Sequence, residues 1–254
     1  DGLSALEALW ALNLSGGFDE SVAQKSLQHS DPYVRAWTIR LLCDDHQVSP
    51  EIGQQLVALA LTEPHVQVRS QLASSSKLLP AEPGLPIAFH LLSRSEDLDD
   101  VHVPLILWWS LEKRVAENRT ELLAYFEKPE VWQYPLVEKY ILERIMRRFA
   151  STGSRNDLLV CVRLLELAPE KSHAEILMAG FETAMKGRSQ TSFPKELITA
   201  MSKYGGQSLS LGLRQGDQAA VEKALKIVAD PKADNQKRLD LIQILGEVKV
   251  PQSV

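Results

Sequence analysis

Apolar residues recur at helical spacing along almost the whole chain. Leu3, Leu6, Leu9, Trp10 and Leu14 form the first run, at intervals that suit one face of a helix. Gly16-Gly17 closes it, because glycine takes the left-handed cap conformation at little cost. A second helix is predicted from about Asp19 to Leu27. Asp31 as N-cap and Pro32 as first helical residue open a third, which runs to about Cys43 with Val34, Trp37, Ile39, Leu41 and Leu42 inward. Ser49-Pro50-Glu51 repeats that grammar for a helix reaching about Leu61. Pro64 is expected to open the next, which stops near Leu79 ahead of Pro80, and another covers Pro83 to Leu92. A polar break follows at Ser93–Asp100. Beyond it, helices are predicted over Val103 to about Glu117, Thr120–Phe126, Pro135–Phe149, Asp157–Leu167, His173–Lys186, Pro194–Tyr204, Ser208–Arg214, Asp217–Ala229 and Gln236–Val248. Alternating β-branched runs and Asn-Gly hairpin turns are nearly absent. The expected fold is all-α, with about fifteen helices joined by short Gly, Pro and Asp connections, as in stacked helical hairpins.

Two segments repeat within this pattern. Asp31-Pro32-Tyr33-Val34-Arg35 and Glu63-Pro64-His65-Val66-Gln67-Val68-Arg69 each open an apolar helical run, and their separation falls in the range of about 20–50 residues typical of stacked repeats. One hairpin cannot bury its apolar face alone, so it stacks on its neighbours. The pattern resembles a HEAT repeat and implies an α-solenoid of HEAT or armadillo type. A single such domain over residues 1–254 is expected, with a softer division near 93–102. Arg35 and Arg69 should sit in the first turns of equivalent helices. There each would reach the capping carboxylate of an adjacent repeat, making Asp31, Arg35 and Arg69 a structural ladder of charge-assisted hydrogen bonds. After about Met185 the motif fades. Gly205-Gly206 reads as a helix stop.

Composition narrows the class only a little. The chain has 254 residues, 44% hydrophobic and 24% charged, with net charge −5, close to ordinary globular usage. Nucleic-acid binders usually carry a basic field, so no nucleic-acid partner is expected. Cys43 and Cys161 lie in apolar helical runs and read as buried free thiols. No apolar run approaches the ~18 residues that span a bilayer, and no signal-peptide pattern opens the chain. Because it starts at Asp1 and ends at Val254 in what reads as the start of another helix, a fragment or processed form of something longer is expected.

A wider resemblance rests on several stretches. Ala8-Leu9-Trp10-Ala11-Leu12 leads through the Gly-Gly turn to Ser30–Trp37. Val68–Ser74, Asp97–Asp100 and Pro104-Leu105-Ile106-Leu107-Trp108-Trp109-Ser110-Leu111-Glu112 follow, with Arg214-Gln215-Gly216-Asp217 and Leu245-Gly246-Glu247 near the end. This order resembles the HEAT-repeat region of planctomycete-type membrane-bound dehydrogenase-like proteins, most strongly over residues 5–112. In that family a sugar-dehydrogenase-like β-propeller precedes the region and a c-type cytochrome domain follows it. The resemblance implies an exported, periplasmic or envelope-associated parent. This segment would be its non-catalytic scaffold, with protein or flanking domains as partners and haem c only elsewhere. The chain has no Cys-x-x-Cys-His attachment motif, and Cys43-Asp44-Asp45-His46 has the wrong form, so no redox residue is carried over.

Candidate sites are few. Glu96, Asp97, Asp99 and Asp100 could offer oxygens to calcium, but EF-hand spacing and its glycine are missing; a solvated loop with one Asp capping the next helix is the plainer reading. Trp108 and Trp109 are adjacent and so diverge by about 100° around a helix. One is expected in the core and the other on a groove. Trp108, Trp109, Asp97, Asp99 and Asp100 are the candidate interaction surface. No histidine has zinc spacing with a cysteine, and no His-Glu pair of the HEAT-repeat di-iron type occurs. Neither a nucleophile elbow nor a phosphate loop is present. No catalytic residue and no metal ligand is assigned.

Arg144, Arg147 and Arg148 with Lys139, near Trp132, Tyr134 and Tyr140, make one basic face. It keeps open an alternative: a helical-repeat DNA glycosylase that grips nucleic acid in a groove. Glu138 and Glu143 favour a solvated face of helical ion pairs. A weaker third option is a helical-repeat lyase or chaperone for a chromophore.

Overall fold

Side-chain caps set where the helices begin. Asp31 accepts from the Tyr33 and Val34 N–H groups, Ser49 from Ile52 and Ser154 from Asp157, each satisfying donors that lack an intrahelical partner. A computed structural model describes residues 2–188, 193–203, 209–214 and 216–248. Among these, all regular structure is helical. Fifteen α-helices follow in order: α1 Gly2–Ser15, α2 Glu20–Ser26, α3 Pro32–Cys43, α4 Pro50–Thr62, α5 Val66–Leu78, α6 Ala81–Leu92, α7 Val103–Glu117, α8 Arg119–Phe126, α9 Leu142–Thr152, α10 Arg155–Leu167, α11 Lys171–Met185, α12 Lys195–Lys203, α13 Leu209–Arg214, α14 Gln218–Ala229 and α15 Asn235–Val248. The fold is an all-α solenoid. The expected stop at Gly205-Gly206, the Tyr204 end of its helix and the chain's last residues lie outside the described residues.

Several boundaries move by one to three residues from the sequence reading, and two differences have a visible cause. Pro64 does not open α5. His65 is its N-cap, its Nδ1 accepting from the Gln67 N–H, because the Glu63 carboxylate accepts the His65 N–H and turns the chain two residues later. The expected helix Pro135–Phe149 is also split. A π-helical turn, Val137–Ile141, comes first and α9 starts at Leu142.

The chain forms two compact units, Asp1–Ile141 and Leu142–Val254. Ser93–His102, where the softer division was expected, lies inside the first unit. In that unit α3, α5 and α7 stack side by side in one layer, and α4 packs on α6 in the other. Between them Ile39, Ile52, Leu56, Leu72, Ile87, Leu91, Leu107 and Leu111 are fully buried. The register between α5 and α7 is visible at Ser76, whose Oγ donates to the Ser110 Oγ, 34 residues on, at 2.8 Å. An aromatic cluster closes the α8 end. There Phe126 meets Trp132 edge-on, and Trp132 Nε1–H donates to the Phe126 carbonyl.

In the second unit α9 crosses α11 and α10 packs on α12. The α9–α11 crossing is set by Gly180, where an added Cβ would stand 2.2 Å from the Glu143 carbonyl oxygen. Leu213, Val221, Ala224, Leu241, Ile244 and Leu245 make the core under α13–α15. Gly180→Ala should therefore lower the unfolding free energy by about 1–3 kcal/mol through overpacking. Gly246→Ala meets nothing within 4 Å and should raise it by up to about 1 kcal/mol. Urea midpoints of the two variants check this, and opposite shifts are expected.

Candidate functional site

Arg35 and Arg69 occupy the same position on α3 and α5, and each spends its whole guanidinium in the same way. Arg35 donates from Nε to Glu63 Oε2 (2.9 Å) and from Nη2 to Glu63 Oε1 (2.6 Å). Its Nη1 donates to the carbonyls of His29 and Ser30. Arg69 donates to Asp97 Oδ2 (2.7 Å) and Oδ1 (2.6 Å), and its Nη1 to the carbonyls of Glu63 and Pro64. In each pair the acid lies 28 residues after the arginine. The planar fork of arginine suits this two-oxygen grip, and both carboxylates are about 1% exposed.

As expected, each arginine reaches an acid of the adjacent repeat. Asp31 is not one of the ladder's acids: its carboxylate is held by the first turn of its own helix. The partners are Glu63 and Asp97, in the turns that lead from α4 to α5 and from α6 to α7. Glu63 has further roles. Its Oε1 accepts the His65 N–H, and its carbonyl accepts from Arg69 and from Arg94. Glu63 opens the second repeated segment, in the place Asp31 has in the first, although it was not singled out as a ladder residue. The signal that finds it is the common offset from Arg35 to Glu63 and from Arg69 to Asp97.

Arg114, buried like Arg69, shows what the acids supply. Arg114 donates to the carbonyls of Ser76 (3.0 Å) and Leu79 (2.5 Å), with Glu117 only at 3.8 Å. Burial lowers its pKa, whereas the hydrogen bond to Asp97 raises that of Arg69. With only neutral oxygens in hydrogen-bond reach, among them Asn118 Oδ1, desolvation of the Arg114 cation prevails, whereas a carboxylate offsets it at Arg69.

The candidate interaction residues separate. Asp97 is buried and belongs to the ladder, because Arg69 draws it inward. Trp108 is buried, whereas Trp109 stays 46% exposed. Asp99 is exposed and pairs with Lys139. Asp100 accepts from the His102 and Val103 N–H groups, and the Val103 bond is the main cause holding its carboxyl below the usual carboxylate range. Among the described residues no three His, Cys, Asp or Glu side chains gather as metal ligands. On α9, Arg147 pairs with Glu143 one turn before it. A cavity of ≈ 180 Å³ in the second unit is lined by Phe181, Met185, Arg214 and Gln243; sites for drug-sized ligands span about 300–1,000 Å³. Its Arg214 is held by Glu247 and the Arg188 carbonyl. No helix of the described residues is long and apolar enough to cross a membrane. No protein-family model, curated protein or solved structure matches the chain.

Cys43 and Cys161 are both buried and free. Burial pushes the Cys43 thiol up to about 11 and the Cys161 thiol up to about 12.

Asp97→Ala should cost about 3–5 kcal/mol, because it leaves Arg69 buried and unpaired. The double replacement Arg69→Met with Asp97→Leu should cost much less. A double-mutant cycle of urea unfolding reads the coupling. A raised thiol pKa favours the native state only while the thiol is protonated. The contribution of the two cysteines is complete below about pH 9 and is lost as the pH rises through about 11 to 12. The urea midpoint should fall over that window, and Ellman's reagent near about pH 8 should label both thiols only after unfolding.

Proposed function

We propose that this chain is a non-catalytic HEAT-type scaffold that presents a fixed surface to a protein partner or to flanking domains. One observation carries the reading: in the first unit Arg35, Glu63, Arg69 and Asp97 are consumed in two ion pairs that join a helix to the turn one repeat on, at the same offset in sequence. Charge used this way sets geometry. A stack with fixed spacing holds side chains on its open face at repeating positions, and that is what a binding platform requires. The resemblance over residues 5–112 supports a setting within an exported dehydrogenase with a c-type cytochrome domain.

Cross-linking mass spectrometry on the intact parent protein, isolated from its source, tests the scaffold. Discrete cross-links from this segment to one partner or domain are expected. Their absence, together with a salt-sensitive gel shift on duplex DNA, would replace it with the nucleic-acid reading. A reduced-minus-oxidised spectrum of the same material tests the setting. A covalent c-type haem on a much larger chain is expected. No haem on a chain of about 254 residues would leave a stand-alone adaptor.

A further inference from the structure

We propose that the cavity lined by α11, α13 and α15 binds a free α-amino acid with an apolar side chain. This site lies wholly in the second unit and is independent of the scaffold reading. Its apolar lining is Phe181, Met185 and Ile244, all buried. Phe181 and Met185 are one turn apart on α11 and so share a face. The volume is ≈ 180 Å³. An apolar cavity of about 150 Å³ takes up benzene, so this space suits one side chain of leucine or phenylalanine size. It falls short of the roughly 300 Å³ at which sites for larger ligands begin.

The polar lining holds opposite charges that do not cancel each other. Glu182 and Lys186 both line the cavity, the first on α11 and the second just past its end. They have the four-residue spacing and the Glu-before-Lys order that favour a helical ion pair. Pairs of that spacing close elsewhere in the chain: Glu143 with Arg147 and Lys171 with Glu175 at 3.3 Å, and Lys113 with Glu117 at 3.8 Å. Glu182 and Lys186 do not close, and neither has a partner among the described residues.

The other charged groups of the lining are engaged. Arg214 is neutralised by Glu247, which also accepts from the Gln243 amide. Asp240 accepts from the neutral Gln236 amide and so adds a second negative charge. An α-amino acid supplies what these groups leave unmet. Its ammonium answers Glu182 and Asp240, its carboxylate answers Lys186, and its side chain covers Phe181, Met185 and Ile244. Such charge-assisted bonds are the stronger kind, and a few polar groups beside an apolar lining are the general form of a small-molecule site. A simple cation would leave Lys186 unmet, and a simple anion would leave both acids unmet.

The test titrates the full chain with L-leucine and with L-phenylalanine by isothermal calorimetry. Saturable binding of at least one of them, with a Kd of about 1 mM or tighter, is expected. Glu182→Gln and Lys186→Met should each weaken it about tenfold or more. Glu175→Gln, on the same helix but outside the cavity, should leave it unchanged. All three positions reach solvent, and circular dichroism with urea midpoints checks that the variants fold. L-serine keeps both charges without the apolar chain, and isoamylamine and isocaproate keep the leucine side chain with one charge each. All three should bind about tenfold or more weakly than the tighter amino acid. No saturable binding of either amino acid overturns the proposal. So does binding that Glu182→Gln and Lys186→Met leave intact, or binding of serine, the amine or the acid as tight as that of the amino acid.

Discussion

Removing a guanidinium and a carboxylate from water together is costly unless every donor and acceptor is matched. The first unit meets that condition twice in the same geometry. Arg35 and Arg69 each use all three nitrogens, two toward a carboxylate and one toward a pair of carbonyls. The carbonyls belong to the turn just before the arginine's own helix, and the carboxylate to the turn one repeat later. Each arginine thus joins two successive turns, and the offset between neighbouring helices in the layer follows from its length. The apolar core between the layers supplies stability but is tolerant of sliding. The ion pairs are not, because a bidentate grip fails when either plane is displaced.

The second unit solves the same problem differently. At Gly180 the absent side chain brings α11 onto the α9 backbone, and shape fixes the crossing. Arg214 again meets a carboxylate, Glu247, which also accepts the Gly187 N–H. This link ties one late helix to the turn after α11, and among the described residues no second arginine of the unit repeats it at the same offset, in keeping with the fading of the motif there.

Helix positions were legible because periodicity, caps and prolines agree locally. Asp31, Ser49 and the glycine stop after α1 are short-range signals, and short-range chemistry decides them. The π-turn at Val137–Ile141 was not legible, since its residues are ordinary helix formers. The arginines of the ladder were readable from the repeated Val-Arg, but their acids were not. Asp31 looks like a ladder acid in one dimension, whereas the helix turns its carboxylate toward its own first N–H groups. Asp97 sits in an acidic run that reads as solvated, and only the position of Arg69 shows that one of the four acids points inward. Trp108 and Trp109 were separable in principle, because adjacent helical residues diverge, but which one faces the core depends on the stacking of α5.

Position 103 stands where a third arginine would continue the series, and it is valine. The arginine joints therefore act as links in series that end at α7. Tension drawn along the first unit would meet them one after another, each closing its own loop of 28 residues. One joint can open without paying out the chain held by the other.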